Sequence, residues 1–179
     1  MTKAKAAFAT LRTTRLTLEP LRTRHARELF EPLRDERLYR YYAGAAPVSV
    51  EELAVRFATL ESARSPKRDE RWFNWVVRLH DGTPVGRMQA TLRSDHALIG
   101  YDIFVPFWRN GYAREAAQAM LDYLARSWRV SLVRAVVDVE NVASVRLLES
   151  LGFERTWTGA SDDLPGRTDH VYEKRLAGP

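Results

Sequence analysis

The sequence predicts an α+β fold, with a central, mostly antiparallel mixed sheet of about seven strands and about four helices on its two faces. Three observations carry that expectation. Residues 73–79 (FNWVVRL), 85–92 and 97–104 follow one another through short turns at Asp81-Gly82 and Asp95-His96, as consecutive antiparallel strands do. An alanine-rich segment comes next, with Ala113, Ala117, Met120, Leu121 and Leu124 on one side of a helix. It leads into residues 132–139, nearly continuous in valine, which read as a strand buried on both faces. A helical crossover joins strands of the same direction, so this strand is expected to lie parallel to the one before the helix.

The other elements follow in chain order. Residues 1–10 (MTKAKAAFAT) read as a flexible N-terminal tail, whose apolar stretch is too short for a secretory signal. Residues 11–179 then form a single domain, long enough for one real core and too short for two. Residues 13–19 alternate apolar and polar as a half-buried strand does, and Pro20 ends it. Thr23 caps a helix with Ala26, Leu29, Phe30 and Leu33 on its apolar face. An aromatic loop containing Tyr39, Tyr41 and Tyr42 leads to a second helix, signposted by the capping box Ser49 and Glu52 and by Leu53, Phe57 and Leu60. Residues 62–71 are polar and read as an exposed loop. Beyond the valine-rich strand, Asn141 caps a short helix over 142–150, and Gly152 ends it in a left-handed conformation. Residues 154–157 and 168–175 add two strands around the loop 159–167.

Composition narrows the chemistry. The chain has no cysteine, which removes disulfides, thiolate metal sites and a cysteine nucleophile, and it points to a cytoplasmic location. Any group transfer must then proceed without an enzyme-bound thioester. A net charge of +5 and a pI near 9.7 favour anionic ligands such as phosphates. No basic run is interleaved with aromatics, so nucleic acid is not the expected partner, and no apolar run is long enough to span a membrane. His25, His80, His96 and His170 lack metal-ligand spacing, and no metal is expected.

The stretch 100–115 (GYDIFVPFWRNGYARE) reads as strand, turn and helix. The first N–H groups of a helix have no partner inside it and carry the positive end of its dipole, which suits a phosphate. Gly111 lets the main chain approach a ligand, and Arg109 adds a planar cation.

Six blocks in order carry a resemblance: RLTLEPL, DERLYRYYAG, WVVRLHDGTPVG, IGYDIFVPFWRNGYAREA, VVDVENVASVRLLESLGF and GRTDHVYEKRL. They resemble the GNAT superfamily of acetyl-CoA-dependent N-acetyltransferases, within it the RimJ/RimL-type branch. The resemblance implies a sheet splayed between the fourth and fifth strands of the expected seven or so. Coenzyme A would enter that splay, with Ile103 and Val105 along its arm and Trp108, Arg109, Asn110, Gly111, Tyr112, Ala113 and Arg114 around its phosphates. Asn141 and Ser144 match the asparagine and serine beside the thioester. Where relatives carry a tyrosine acid in this helix, the chain has Leu147-Leu148, so Ser144 is the expected donor to the departing sulfur.

The implied reaction is direct attack of a neutral amine on the acetyl carbonyl, with a backbone N–H near Ile103 serving the oxyanion. Ala97, Leu98 and Ile99 stand where relatives often carry a glutamate base. Asp162 or Asp163, acting through water, is the expected substitute, with Asp102 and His96 behind. Tyr41 and Tyr42 are candidates for the acceptor site, whereas Trp75 is expected in the core and His170 packed in a strand. The acceptor is expected to be a protein N-terminus, a ribosomal protein's among them, or a small amine. The alternative is a catalytically silent acyl-CoA-binding or ribosome-associated module. The assembly is expected to be a monomer or a homodimer.

Overall fold

A computed structural model describes residues 8–65, 67 and 69–177. Its strands are β1 (Leu11–Arg12), β2 (Leu16–Pro20), β3 (Arg71–Leu79), β4 (Pro84–Leu92), β5 (Ala97–Ile103), β6 (Leu132–Asp138), β7 (Glu154–Ala160) and β8 (Thr168–Arg175). Its helices are α1 (Ala26–Leu33), α2 (Val50–Glu61), α3 (Tyr112–Trp128) and α4 (Val142–Ser150). The strands form one eight-stranded sheet in the order β1-β2-β3-β4-β5-β6-β8-β7. The expected α+β architecture is present, with the two-residue β1 added at the edge, where Leu11 lies opposite Leu18.

Alternation along β3 explains why the sheet has two covered faces. Phe73, Trp75 and Val77 pack with Leu16 and Leu18 against Ala116, Ala117, Met120, Leu121 and Leu124 of α3. The intervening Val76 packs with Phe104 against Leu29 and Leu33 of α1 and Leu53 and Phe57 of α2. Successive strand residues point to opposite faces, so one strand feeds both cores. Trp75 is fully buried, and its indole Nε1 donates to the Ala9 carbonyl at 3.0 Å. Burial on this scale belongs to the class whose truncation to alanine costs about 3–5 kcal/mol. A polar clamp joins the sheet to α1, where the Arg78 guanidinium reaches both Glu19 and Glu28.

Several local expectations are altered by tertiary contacts. Residues 1–7 of the expected tail lie outside the described residues, but Phe8 stacks on Phe73 with ring centroids 5.1 Å apart, so the end of that segment is packed. Pro20 is the last residue of β2, opposite Trp75, because a proline at a strand end removes only one donor. Thr23 does not cap α1. Its amide and hydroxyl both donate to Glu61 Oε2, at 2.8 and 2.7 Å, so a carboxylate from α2 takes the group the cap would have used. The Ser49 capping box forms by half: Ser49 Oγ accepts from Glu52 N–H at 3.1 Å, while the Glu52 carboxylate turns to Arg56. The β3–β4 turn forms as expected, with Gly82 at φ 94° and Asp81 Oδ1 accepting from Thr83 N–H. Among the described residues, no helix is long and apolar enough to cross a membrane.

Candidate active site

The site begins with an open strand edge. β4 pairs with β5 from Leu92 opposite Ala97 to Gly86 opposite Ile103. On its other edge, β5 pairs in parallel with β6 only at Ala97 with Val133 and Leu98 with Arg134. The splay falls between β5 and β6, which correspond to the fourth and fifth strands of the expected set. Arg93 N–H donates to the His96 carbonyl and Phe104 N–H to the Val85 carbonyl, so the even-numbered residues of β5 turn their peptide groups toward β4. Alternation then aims those of Ile99, Tyr101 and Ile103 into the gap. Backbone groups without a ladder partner call for a ligand or water in its place. The Ile103 carbonyl is partly committed, since Trp108 Nε1 donates to it at 2.6 Å.

One end of the gap meets a turn that presents amides. β5 stops at Ile103, and Val105 lies in a 3-10 turn spanning Val105–Phe107, not in an extended arm, because Phe107 N–H bonds back to the Phe104 carbonyl. Arg109 and Gly111 both take left-handed backbone conformations, φ 63° and 77°. Asn110 locks the turn by donating from Nδ2 to the carbonyls of Phe107 and Trp108. The first helix-type bond of α3 is Glu115 N–H to the Gly111 carbonyl, so no helical carbonyl precedes the amides of Tyr112, Ala113 and Arg114.

A cation comes to this turn from the far end of the chain. Arg15 donates from Nη1 to the Asn110 carbonyl at 3.0 Å, pairs with Glu115 at 2.7 Å, and lies over the Tyr112 ring at 4.8 Å. Burial pushes the Glu115 carboxyl up, but hydrogen bonds from Thr13 and Arg15 outweigh it and hold the group below its ordinary value. The result is a fixed guanidinium beside open amides, a geometry suited to phosphate oxygens.

Across the gap, Tyr101 of β5 and Ser144 of α4 are hydrogen-bonded, 2.6 Å apart. Asn141 caps α4 as expected, its Oδ1 accepting from Ser144 N–H at 3.2 Å, and Gly152 at φ 77° follows the end of the helix. On the α1–α2 face, a cavity of about 160 Å³ is lined by Tyr42, Asn74, Arg87, Gln89, Tyr101 and Asp102 among others. Its charges cancel, since Arg87 and Asp102 form a two-contact ion pair at 2.5 and 3.2 Å. Burial pulls the Arg87 guanidinium down, but the Asp102 carboxylate more than offsets this and holds it above its ordinary value.

The expected site residues are distributed unevenly. Ile103, Trp108, Arg109, Asn110, Gly111, Tyr112, Ala113 and Arg114 surround the gap mouth and the first turn of α3. Tyr42 lines the cavity, and the guanidinium groups of Arg40 and Arg167 lie 5.2 and 5.8 Å from the Tyr41 ring centre. Asp162 and Asp163 sit exposed on the β7–β8 loop. That loop ends at Arg167, which pairs with the buried Asp138 at 2.6 Å. His96 bonds Asp95, away from the cavity lining, and His170 is held in β8 against Thr158. Sequence reasoning missed Tyr101, Arg15 and Arg87. Tyr101 shares the parity of Ile99 and Ile103 and was legible from strand alternation, whereas nothing local links Arg15 to a turn almost a hundred residues away.

Residues 15–154 match the Acetyltransferase (GNAT) domain family. The N-acetyltransferase YoaA of Bacillus subtilis (strain 168) is 30% identical over 153 residues, covering 83% of this chain and 84% of that protein. This chain belongs to the GNAT family of acetyltransferases, whose acyl donor is acetyl-CoA. Its fold matches an acetyltransferase of Salmonella typhimurium that modifies the N-terminal serine of a 50S ribosomal subunit protein, with TM-score 0.82, 15% identity, and coverage of 94% and 100% of the two chains. It also matches spermidine N-acetyltransferase from Vibrio cholerae in complex with coenzyme A and spermine, with TM-score 0.75, 19% identity, and coverage of 91% and 96%.

Proposed function

We propose that this chain moves the acetyl group of acetyl-CoA directly to a primary amine, that of a protein N-terminus or of a small molecule. The observation that carries the reading is the open edge of β5, flanked by free α3 amides at one end and by a cavity on the α1–α2 face. When bound, acetyl-CoA supplies an acetyl group activated as a thioester. The amides of Gly111, Tyr112, Ala113 and Arg114, with Arg109 and Arg15, hold its phosphates. The gap-facing peptide groups of Ile99, Tyr101 and Ile103 orient its arm, and the Ile103 N–H is the donor placed for a developing oxyanion. Asn141 positions Ser144 by capping α4. For the base, Asp162 and Asp163 act only through water from the loop, whereas Asp102 lines the cavity itself.

The cavity also speaks to the acceptor. Its volume is close to the ~150 Å³ cavity that admits a single benzene ring, so it takes roughly one small residue or group. Its charge-balanced lining suits the first residue of a peptide, as on a ribosomal protein, or a small zwitterionic amine, better than a polycation such as spermidine. The test supplies acetyl-CoA with serine- and alanine-initiated peptides, free amino acids and spermidine, and follows release of free thiol. Turnover with peptides or amino acids above spermidine is expected. Tight coenzyme A binding without turnover on any amine would instead favour the silent module.

A further inference from the structure

The hydroxyl pair that bridges the gap has a property beyond the positions it joins. Tyr101 Oη and Ser144 Oγ lie 2.6 Å apart, and among the described residues neither oxygen has another hydrogen-bond partner. Two hydroxyls joined by one hydrogen bond carry two protons and commit one of them, so one proton stays free whichever oxygen donates. The rest of α4 offers no comparable acid. Leu147 and Leu148 are apolar, Ser150 Oγ donates to the Leu147 carbonyl at 2.8 Å, and Glu149 accepts from Tyr172 at 3.0 Å.

We propose that Tyr101 and Ser144 act as one proton donor to the departing coenzyme A sulfur, Ser144 touching the sulfur and Tyr101 reloading Ser144. The inference rests on the reading above, in which the thioester lies in the gap. As the amine nitrogen bonds to the acetyl carbon, the carbon–sulfur bond breaks with its electron pair on sulfur. Sulfur takes the Ser144 proton, Ser144 takes that of Tyr101, and the phenolate regains a proton from water, balancing the one the amine gives up. Tyr101 is thus a positioning and reloading residue. An aliphatic hydroxyl alone is a poor acid, whereas a phenol, at about 10, lies nearer a thiol at about 8.5. Burial pushes the Tyr101 phenol up to about 12, against the pull of its Ser144 hydrogen bond, so it stays protonated at neutral pH.

The test reads the thiol of free coenzyme A bound to the full chain, by thiolate ultraviolet absorbance against pH. A donor aimed at sulfur favours the thiolate, so the bound thiol should ionise about tenfold more readily in the wild type than in Tyr101→Phe, with affinity changed less than about threefold. Ser144→Ala should lower the ionisation in the same way, and Ser144→Thr, which keeps the hydroxyl, should preserve it. Equal ionisation in the wild type and Ser144→Ala, with coenzyme A bound to both, overturns the relay and leaves the cofactor placement standing. Failure of the wild type to bind coenzyme A overturns the placement and the relay with it.

Discussion

The two edges of β5 are built from the same seven residues and behave oppositely. Toward β4 the ladder runs its full length, and at its end the strands approach so closely that a Cβ on Gly86 would lie 2.3 Å from the Asp102 carbonyl oxygen. Toward β6 the ladder stops after Leu98, although β6 itself is paired along its whole length with β8, from Leu132 opposite Arg175 to Asp138 opposite Asp169. The strand that leaves β5 is therefore held by another partner and pinned at its end by Asp138 and Arg167. Divergence of this kind is a stable feature of the sheet, because the ladder to β8 holds β6 in place along its other edge. Beyond Leu98 the gap-facing edge of β5 has no ladder partner, and its peptide groups are what a ligand with amides of its own can satisfy.

The largest test of this contrast blocks the open edge at its mouth. Gly111→Leu should leave the fold largely intact, since the nearest atom to an added Cβ is Arg15 Nη2 at 3.5 Å, although the left-handed φ of 77° adds strain of about 1–2 kcal/mol. Its side chain would cover the α3 amides. Losing two charge-assisted hydrogen bonds of about 1.5–3 kcal/mol each should weaken coenzyme A at least about a hundredfold by calorimetry. Unchanged affinity would show that the phosphates bind elsewhere.

An intermediate effect is expected at the closed edge. Gly86→Ala forces β4 and β5 apart against backbone, and chemical denaturation should register a loss of about 1–3 kcal/mol, typical of overpacking. A neutral result would mean that the tight pairing at Gly86 and Ile103 is not under constraint.

The smallest effect concerns the pin on β6. Burial raises the Asp138 carboxyl, but the Arg167 hydrogen bond and the Glu140 amide outweigh it and leave the group below its ordinary value. A depressed carboxyl contributes stability above the unfolded value, near pH 4, and loses it as pH falls through the lower folded value. Thermal stability should thus hold from neutral pH to about pH 5 and fall below it. Asp138→Asn should soften that fall and cost about 1 kcal/mol at neutral pH, a modest figure because the Arg167 side chain is 32% exposed and screened. An acid profile identical in the two proteins would remove Asp138 from the account.

Much of this molecule was legible in one dimension. Period-two alternation marked β2 to β5, helical spacing with the alanines marked α3, and Asn141 and Gly152 marked both ends of α4, because each signal depends on residues within a turn or two of one another. The turn around Gly111 was legible for the same reason, since a left-handed glycine before an alanine-rich helix is a local statement. Local signals failed where a distant group supplied the partner, as Glu61 does for the Thr23 hydroxyl and Phe73 for the Phe8 ring.

By itself the sequence determined the elements, their order and the glycine turn that opens α3, since these follow from steric preference and apolar periodicity along the chain. Tertiary structure alone decided which edge of β5 stays open, which cation stands over the turn, and that Tyr101 meets Ser144. Those are matters of distance between segments far apart in the chain, and such distances exist only once β6 has chosen β8 as its partner and two cores have closed on the sheet.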